Sequence, residues 1–196
     1  LELAPEDVDA VYNRAYAYFL QGTYASAIED FNSVLKTTPE HQNALELRGV
    51  SYVLTGLWPQ AMADLKKSLS LDPNDAVRML LLYVAQTRTP GLAAGARKAL
   101  RKYSHGLNLA SWPGPALSFC LGKLTESALF AEIAKEIDAT ERAKRTAFAS
   151  FYAAEQNLAQ GKRAEARRLF AKAAKIGERD SVEQRAAENA LKRLPR

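Results

Sequence analysis

Few residues of this 196-residue chain have the type and spacing that chemistry requires. There are two histidines. His41 follows Pro39-Glu40 and His105 precedes Gly106. Each reads as a surface-loop residue, and they share no motif. The acidic pairs Glu29-Asp30 and Asp72/Asp75 read as exposed helix or turn positions. Paired catalytic carboxylates would need a cleft that raises one pKa, and nothing in the pattern implies such a cleft. No Gly-x-Ser-x-Gly, His-Glu-x-x-His or phosphate-cradling glycine loop occurs. The lone cysteine, Cys120, lies between Phe119 and Leu121. It excludes an internal disulfide and a cysteine-based zinc site, and it reads as a small buried hydrophobe. The expectation is a chain with no catalytic residue, no metal and no cofactor, and therefore not an enzyme.

What remains is binding chemistry. Lys162, Arg163, Arg167, Arg168, Lys172 and Lys175 make the C-terminal third basic. On a helix, Arg168, Lys172 and Lys175 share one stripe. Glu155, Glu165 and Glu178 lie among them, and aromatic residues for base stacking are missing. A solvated helix face is the expectation here, with nucleic-acid binding as the less favoured alternative. Tyr12, Tyr16, Phe19 and Trp112 are of the types enriched where proteins grip one another.

The elements that position these residues follow from the pattern of the chain. Hydrophobic residues make up 47% and charged residues 25%, so a folded core is expected. Abundant Ala, Leu, Glu, Lys and Arg favour helix. No apolar run is long enough to span a membrane. Self-similarity appears at a period of 34: Tyr18 and Tyr52, Gly22 and Gly56, Ala27 and Ala61, Pro39 and Pro73. Four matches at one spacing are hard to obtain by chance. They fit the tetratricopeptide pattern of a large apolar residue, a small residue, Tyr, Ala, an aromatic and Pro. Repeat one, about 8–41, supplies Val11, Ala15, Tyr18, Ala27, Phe31 and Pro39. Repeat two, about 42–75, supplies Leu45, Gly49, Tyr52, Ala61, Leu65 and Pro73. Small residues sit where paired helices approach closely. Gly22 and Gly56 end the first helix of each pair, and the prolines stop the second.

A third hairpin is expected over 76–103, with helices at about 76–88 and 91–103. Residues 104–146 form a loop and connecting helices, at about 115–121 and 125–137, with Thr125 or Ser127 as a cap. Ala154, Leu158, Gly161, Ala166, Phe170 and Ala173 then restore the repeat signature over about 147–180. Residues 181–194 read as a capping helix with one wet face. The fold class is all-α: a helix-turn-helix repeat solenoid with an irregular middle and a C-terminal cap. It comprises segments 1–103, 104–146 and 147–196.

Beyond the repeat, three blocks of residues share the order of a narrower family. The first is Asp72-Pro73-Asn74-Asp75, Arg78 and Leu82-Tyr83. The second is Trp112, Phe119, Leu121-Gly122, Leu124-Thr125-Glu126 and Leu129. The third is Phe151-Tyr152, Gly161, Ala166, Phe170, Val182-Glu183 and Arg185. This order resembles the NlpI-type lipoproteins of Gram-negative bacteria. The resemblance implies an all-helical homodimer that faces the periplasm at the outer membrane. It implies an adaptor that docks a tail-specific protease and presents a cell-wall (peptidoglycan) hydrolase to it. Membrane attachment would come only through an N-terminal lipid anchor, which this sequence does not contain. An upstream signal followed by a lipidation cysteine would separate this reading from a module with a cytosolic or secretion-system partner.

In repeats of this type the first helix of each pair lines the concave side. The resemblance places Asp9, Tyr12, Tyr16, Phe19 and Leu20 there in repeat one. Asn43, Glu46, Val50, Val53 and Leu54 follow in repeat two, and Val77, Leu80, Val84, Thr87 and Arg88 in repeat three. The candidate partner-binding residues are Tyr12, Tyr16, Phe19, Leu20, Glu46, Val50, Val53, Leu54 and Trp112. Tyr12, Tyr16 and Leu81 occupy the positions of the Lys/Asn clamp used elsewhere to hold a terminal carboxylate, so that mode is disfavoured. An apolar groove must be covered by a partner segment, a second copy, or residues 104–137 of the chain itself. Charge is uneven: residues 1–75 carry a net −6, 76–134 a net +5 and 135–196 a net +6. Such polarity can steer a partner.

Overall fold

The computed structural model describes residues 7–176 and 181–194. Among the described residues there are eleven helices and no strand. Two compact units divide between Ala85 and Gln86.

The first unit contains α1 (Val8–Gln21), α2 (Tyr24–Thr37), α3 (Gln42–Thr55), α4 (Trp58–Leu71) and most of α5 (Ala76–Arg88). The hairpins α1/α2 and α3/α4 are the two repeats, and α2 packs on α3 between them. Ala15, Ala27 and Ala61 are wholly buried, where helices meet. Gly49 shows why the small residue matters: a methyl group there would lie 3.2 Å from Leu65 Cγ and 3.3 Å from Asp64 Cβ, so neighbours would have to shift. Gly22 and Gly56 take left-handed φ of 78° and 79°. The Gly22 N–H donates to Phe19 O and the Thr23 N–H to Tyr18 O. The Gly56 N–H donates to Val53 O and the Leu57 N–H to Tyr52 O. Both turns close by the same two bonds, as equivalent repeats require.

The second unit holds α6 (Ala93–Tyr103), α7 (Gly114–Cys120), α8 (Glu126–Ala134), α9 (Ala139–Ala159), α10 (Arg163–Ile176) and α11 (Val182–Arg193). α9 and α10 form the returning hairpin, joined through Gly161 at φ 77°. The Gly161 N–H donates to Leu158 O and the Lys162 N–H to Asn157 O, as in the first two turns. α11 packs on α10 and α9, while α7 and α8 pack on α9. Thr125 caps α8 by accepting the Ala128 N–H. α8 ends at 134 rather than 137 and α6 starts at 93 rather than 91, and the largest difference is at α9. α9 starts at 139 rather than near 147, because Asp138 caps it by accepting the Glu141 N–H at 2.6 Å. An Arg145–Glu141 pair at i,i+4 supports the added turns. The stretch 177–180, where the last repeat was expected to end, lies outside the described residues, as does Glu178 within it.

Candidate functional site

The first unit's two repeats are each clamped by an ion pair. Arg14 Nε and Nη2 donate to Asp30 Oδ2 and Oδ1 at 2.6 and 2.7 Å. Arg48 Nε and Nη2 donate to Asp64 Oδ2 and Oδ1 at 2.7 and 2.7 Å. Arg48 and Asp64 stand 34 residues after Arg14 and Asp30. Arg48 also donates to Asn32 Oδ1 at 2.6 Å, tying α3 back to α2. Asp30, expected to be exposed, is thus buried and paired, because the guanidinium replaces its lost hydration. The repeat period could have revealed both pairs.

On the α1–α3 side a short polar and aromatic surface is assembled. Tyr12 stacks on His41 with ring centroids 4.8 Å apart. His41, expected as an ordinary surface-loop residue, caps α3: its Nδ1 accepts the Ala44 N–H at 3.2 Å. Partial burial raises the Tyr12 phenol pKa, a hydrogen bond with Asn43 opposes this, and nearby Tyr16 and Glu46 add to the rise. Tyr12, Tyr16 and Leu20 recur every four residues along α1, so they share one stripe. Tyr16 is 42% exposed and Leu20 52%.

Beside them lies a buried guanidinium. Arg78, on α5, sits 3.2 Å from Glu46 Oε2, 2.8 Å from Asp72 Oδ2 and 3.1 Å from Asp75 Oδ2. Its Nη1 also reaches Ser68 Oγ at 3.3 Å and Asp72 O at 3.5 Å. Three carboxylates share one guanidinium, leaving excess negative charge at this end of the face. The Glu46 carboxyl pKa is raised: burial is the main cause, Arg78 opposes it, and Asp75 and Asp72 add to it.

The structure brings Tyr12, Tyr16, Leu20 and Glu46 together. It removes others from any open groove. Phe19 is buried, with its ring edge on Tyr24, and Val50, Val53 and Leu54 are 4%, 3% and 1% exposed. The expectation that they line a groove is corrected: α3 is packed by α1, α2 and α4, so those positions fall into the core. Leu80 and Val84 are buried as well. Arg88 makes a bidentate pair with buried Glu155, at 2.6 and 2.9 Å, inside the second unit.

Trp112 belongs to that second unit. Its ring meets the Phe148 edge at 5.3 Å and lies under the Arg145 guanidinium at 5.5 Å. A cleft of about 290 Å³ beside it is lined by Ile133, Ile137, Glu136 and Arg145. Trp112 therefore anchors its loop on α9. Cys120 is wholly buried, and burial holds its thiol far above the ordinary range, so it is inert packing. Along α10, Arg168 pairs with Glu165 and Lys172 lies over the Phe130 ring. No group of three or more His, Cys, Asp or Glu side chains able to hold a metal is found among the described residues. None of the described helices is long and apolar enough to cross a membrane.

Comparison with known proteins bears on the fold. Residues 1–40 and 27–76 match the model of the tetratricopeptide repeat family. The crystal structure of a tetratricopeptide repeat protein from Parabacteroides merdae ATCC 43184 superposes with a TM-score of 0.53 at 22% identity, over 94% of this chain and 71% of that one. The crystal structure of MamA protein gives 0.52 at 21% identity, over 88% of this chain and 93% of its own. No curated protein matches the chain. The fold is that of a tetratricopeptide-repeat protein, and the family's own sequence pattern is met in residues 1–76.

Proposed function

We propose that the chain is a non-enzymatic scaffold that holds another protein against the α1–α3 face of its first unit. The observation that carries this is the Tyr16/Leu20 stripe: two large side chains stand in solvent beside half-buried Tyr12 and Glu46. Large exposed apolar side chains set in a polar rim are the usual anchors of a protein contact. Tetratricopeptide repeats in general bind other proteins, and this face has the composition to do so. The ligand that fits is an amphipathic helix or extended segment with apolar anchors for Tyr16 and Leu20. A cation near its end would answer the charge that Arg78 leaves uncompensated among Glu46, Asp72 and Asp75.

The finer assignment rests on the residue blocks shared with the NlpI-type lipoproteins. On that reading the chain works in the periplasm at the outer membrane, as a homodimer. Its partners are a tail-specific protease and a peptidoglycan hydrolase. A module serving a cytosolic partner is the alternative.

The test is capture of partners from cell-envelope extract, with light scattering for the oligomer. Tyr16→Ala with Leu20→Ala weakens capture roughly tenfold or more, while helicity and thermal midpoint stay near wild type. Unchanged capture by that variant would remove the face from the function. Phe19→Ala serves as contrast, since it strikes the core and lowers stability first.

A further inference from the structure

Residues 76–125 contain seven Lys or Arg and no Asp or Glu. Four of the cations, Arg97, Lys98, Arg101 and Lys102, lie on α6, and all four are exposed. At about 100° per residue they occupy one face of roughly 140°. The opposite side of α6 carries the buried Ala96 and Leu100. Arg97 is fixed in place: its Nε donates to Cys120 O at 3.3 Å, and its guanidinium lies against Gly122. Exposed Lys123 follows Gly122 in the α7–α8 turn. Lys98, Arg101 and Lys102 make no ion pair among the described residues. On α10, by contrast, Arg168 is neutralised by Glu165 and Lys172 is placed over a ring.

We propose that the outer face of α6, with Lys123, is a second docking surface, and that it takes an acidic helical segment of a partner protein. The inference rests on the scaffold reading and adds a site of opposite chemistry to the Tyr16/Leu20 face. Cations at i and i+4, here Arg97/Arg101 and Lys98/Lys102, stand one turn apart. Carboxylates at i and i+4 on a partner helix have the same pitch, so two helices laid side by side pair their charges along both rows. The features that would stack unpaired bases or insert into a bilayer are missing. No aromatic residue is exposed on α6 to stack a base. Its apolar side is used in the fold and is not offered to a bilayer. Other tetratricopeptide-repeat proteins commonly hold proteins, which places the acidic segment in a protein.

The experiment is fluorescence anisotropy on the full chain at low ionic strength. The probe is a labelled helical peptide with glutamates at i,i+4 spacing, and its control carries glutamine at the same positions. The glutamate peptide binds, the glutamine peptide does not, and added salt weakens binding. Lys98→Gln with Arg101→Gln and Lys102→Gln weakens binding about tenfold or more, equivalent to about 1.4 kcal/mol. Helicity by circular dichroism is unchanged, and Tyr16→Ala/Leu20→Ala binds the peptide as wild type does. That last arm separates failure of this site from failure of the α1–α3 face. The single variants K98Q and K102Q report the same loss in smaller steps should the triple variant lose helix. The proposal is overturned if the triple variant binds the glutamate peptide normally, or if the glutamine peptide binds equally well. It is also overturned if a short DNA duplex or phosphatidylglycerol vesicles bind more tightly than the peptide and depend on the same three residues.

Discussion

A guanidinium held by both oxygens of a buried carboxylate cannot be removed without stranding that carboxylate. The two repeat-equivalent pairs differ in how far water can help. Arg48 is 19% exposed and Asp64 8%, whereas Arg14 is 46% exposed and Asp30 12%. Arg48 also holds Asn32, so its loss opens a second bond between α2 and α3. Arg48→Ala therefore costs about 2–3 kcal/mol and Arg14→Ala about 1 kcal/mol or less, by urea unfolding. Equal losses would mean that the clamps do not depend on burial. Glu46 gives a prediction in pH. Its folded-state pKa is raised, mainly by burial, so burying the ionised form opposes folding. Its contribution is fully favourable below the unfolded pKa and is lost as pH rises through the raised folded value. Glu46→Gln is thus at least as stable as wild type at pH 7. The difference shrinks as pH falls through the raised value, where wild type is itself protonated. A variant less stable at pH 7, with a deficit that shrinks as pH falls and wild type protonates, would show that the ion pair with Arg78 outweighs desolvation.

At the scale of elements, the turns are where residue choice becomes visible. Gly161 sits at φ 77° with no atom within 4 Å of a methyl group placed there. Gly161→Ala thus meets only backbone strain, about 1 kcal/mol, read as a fall in thermal midpoint with helicity retained. A larger loss would point to a contact that the turn does not have. The same glycines explain why the hairpins were legible in the sequence: Gly22, Gly56 and Gly161 mark helix ends by a left-handed backbone that other residues rarely adopt. The α9 start was less legible, since Asp138 is one of several capable caps and only its bond to Glu141 identifies it. The placement of the candidate site residues was legible in part. Tyr12, Tyr16, Leu20 and Glu46 do cluster, because α1 spacing alone places the first three. Val50, Val53 and Leu54 were misplaced, because their burial depends on helices packed on both sides of α3 and not on α3 itself. Arg14/Asp30 and Arg48/Asp64 carried the 34-residue signal but are polar, and a search weighted toward apolar repeats passes over them.

At the scale of the whole molecule, contacts in a repeat fold run between neighbours, so stability is distributed along the chain. Here the compact units are divided at Ala85/Gln86, and each has its own fully buried large side chains. Leu65 on α4 and Phe170 on α10 are both wholly buried. Truncating either leaves a cavity and costs about 3 kcal/mol or more where it occurs. If opening is governed by local units, the damage stays in one of them. Leu65→Ala then speeds amide hydrogen exchange across α1–α4 while α9 and α10 keep near-wild-type protection. Phe170→Ala does the reverse. A uniform rise throughout the chain from either variant would instead mean that α5, which runs through the division, couples both units into one cooperative block. The distinction bears on function. Locally opening units would let a partner bound on the α1–α3 face stabilise that region without ordering the basic second unit, so the two proposed docking surfaces would act independently. A single block would make binding at one raise affinity at the other wherever opening competes with binding.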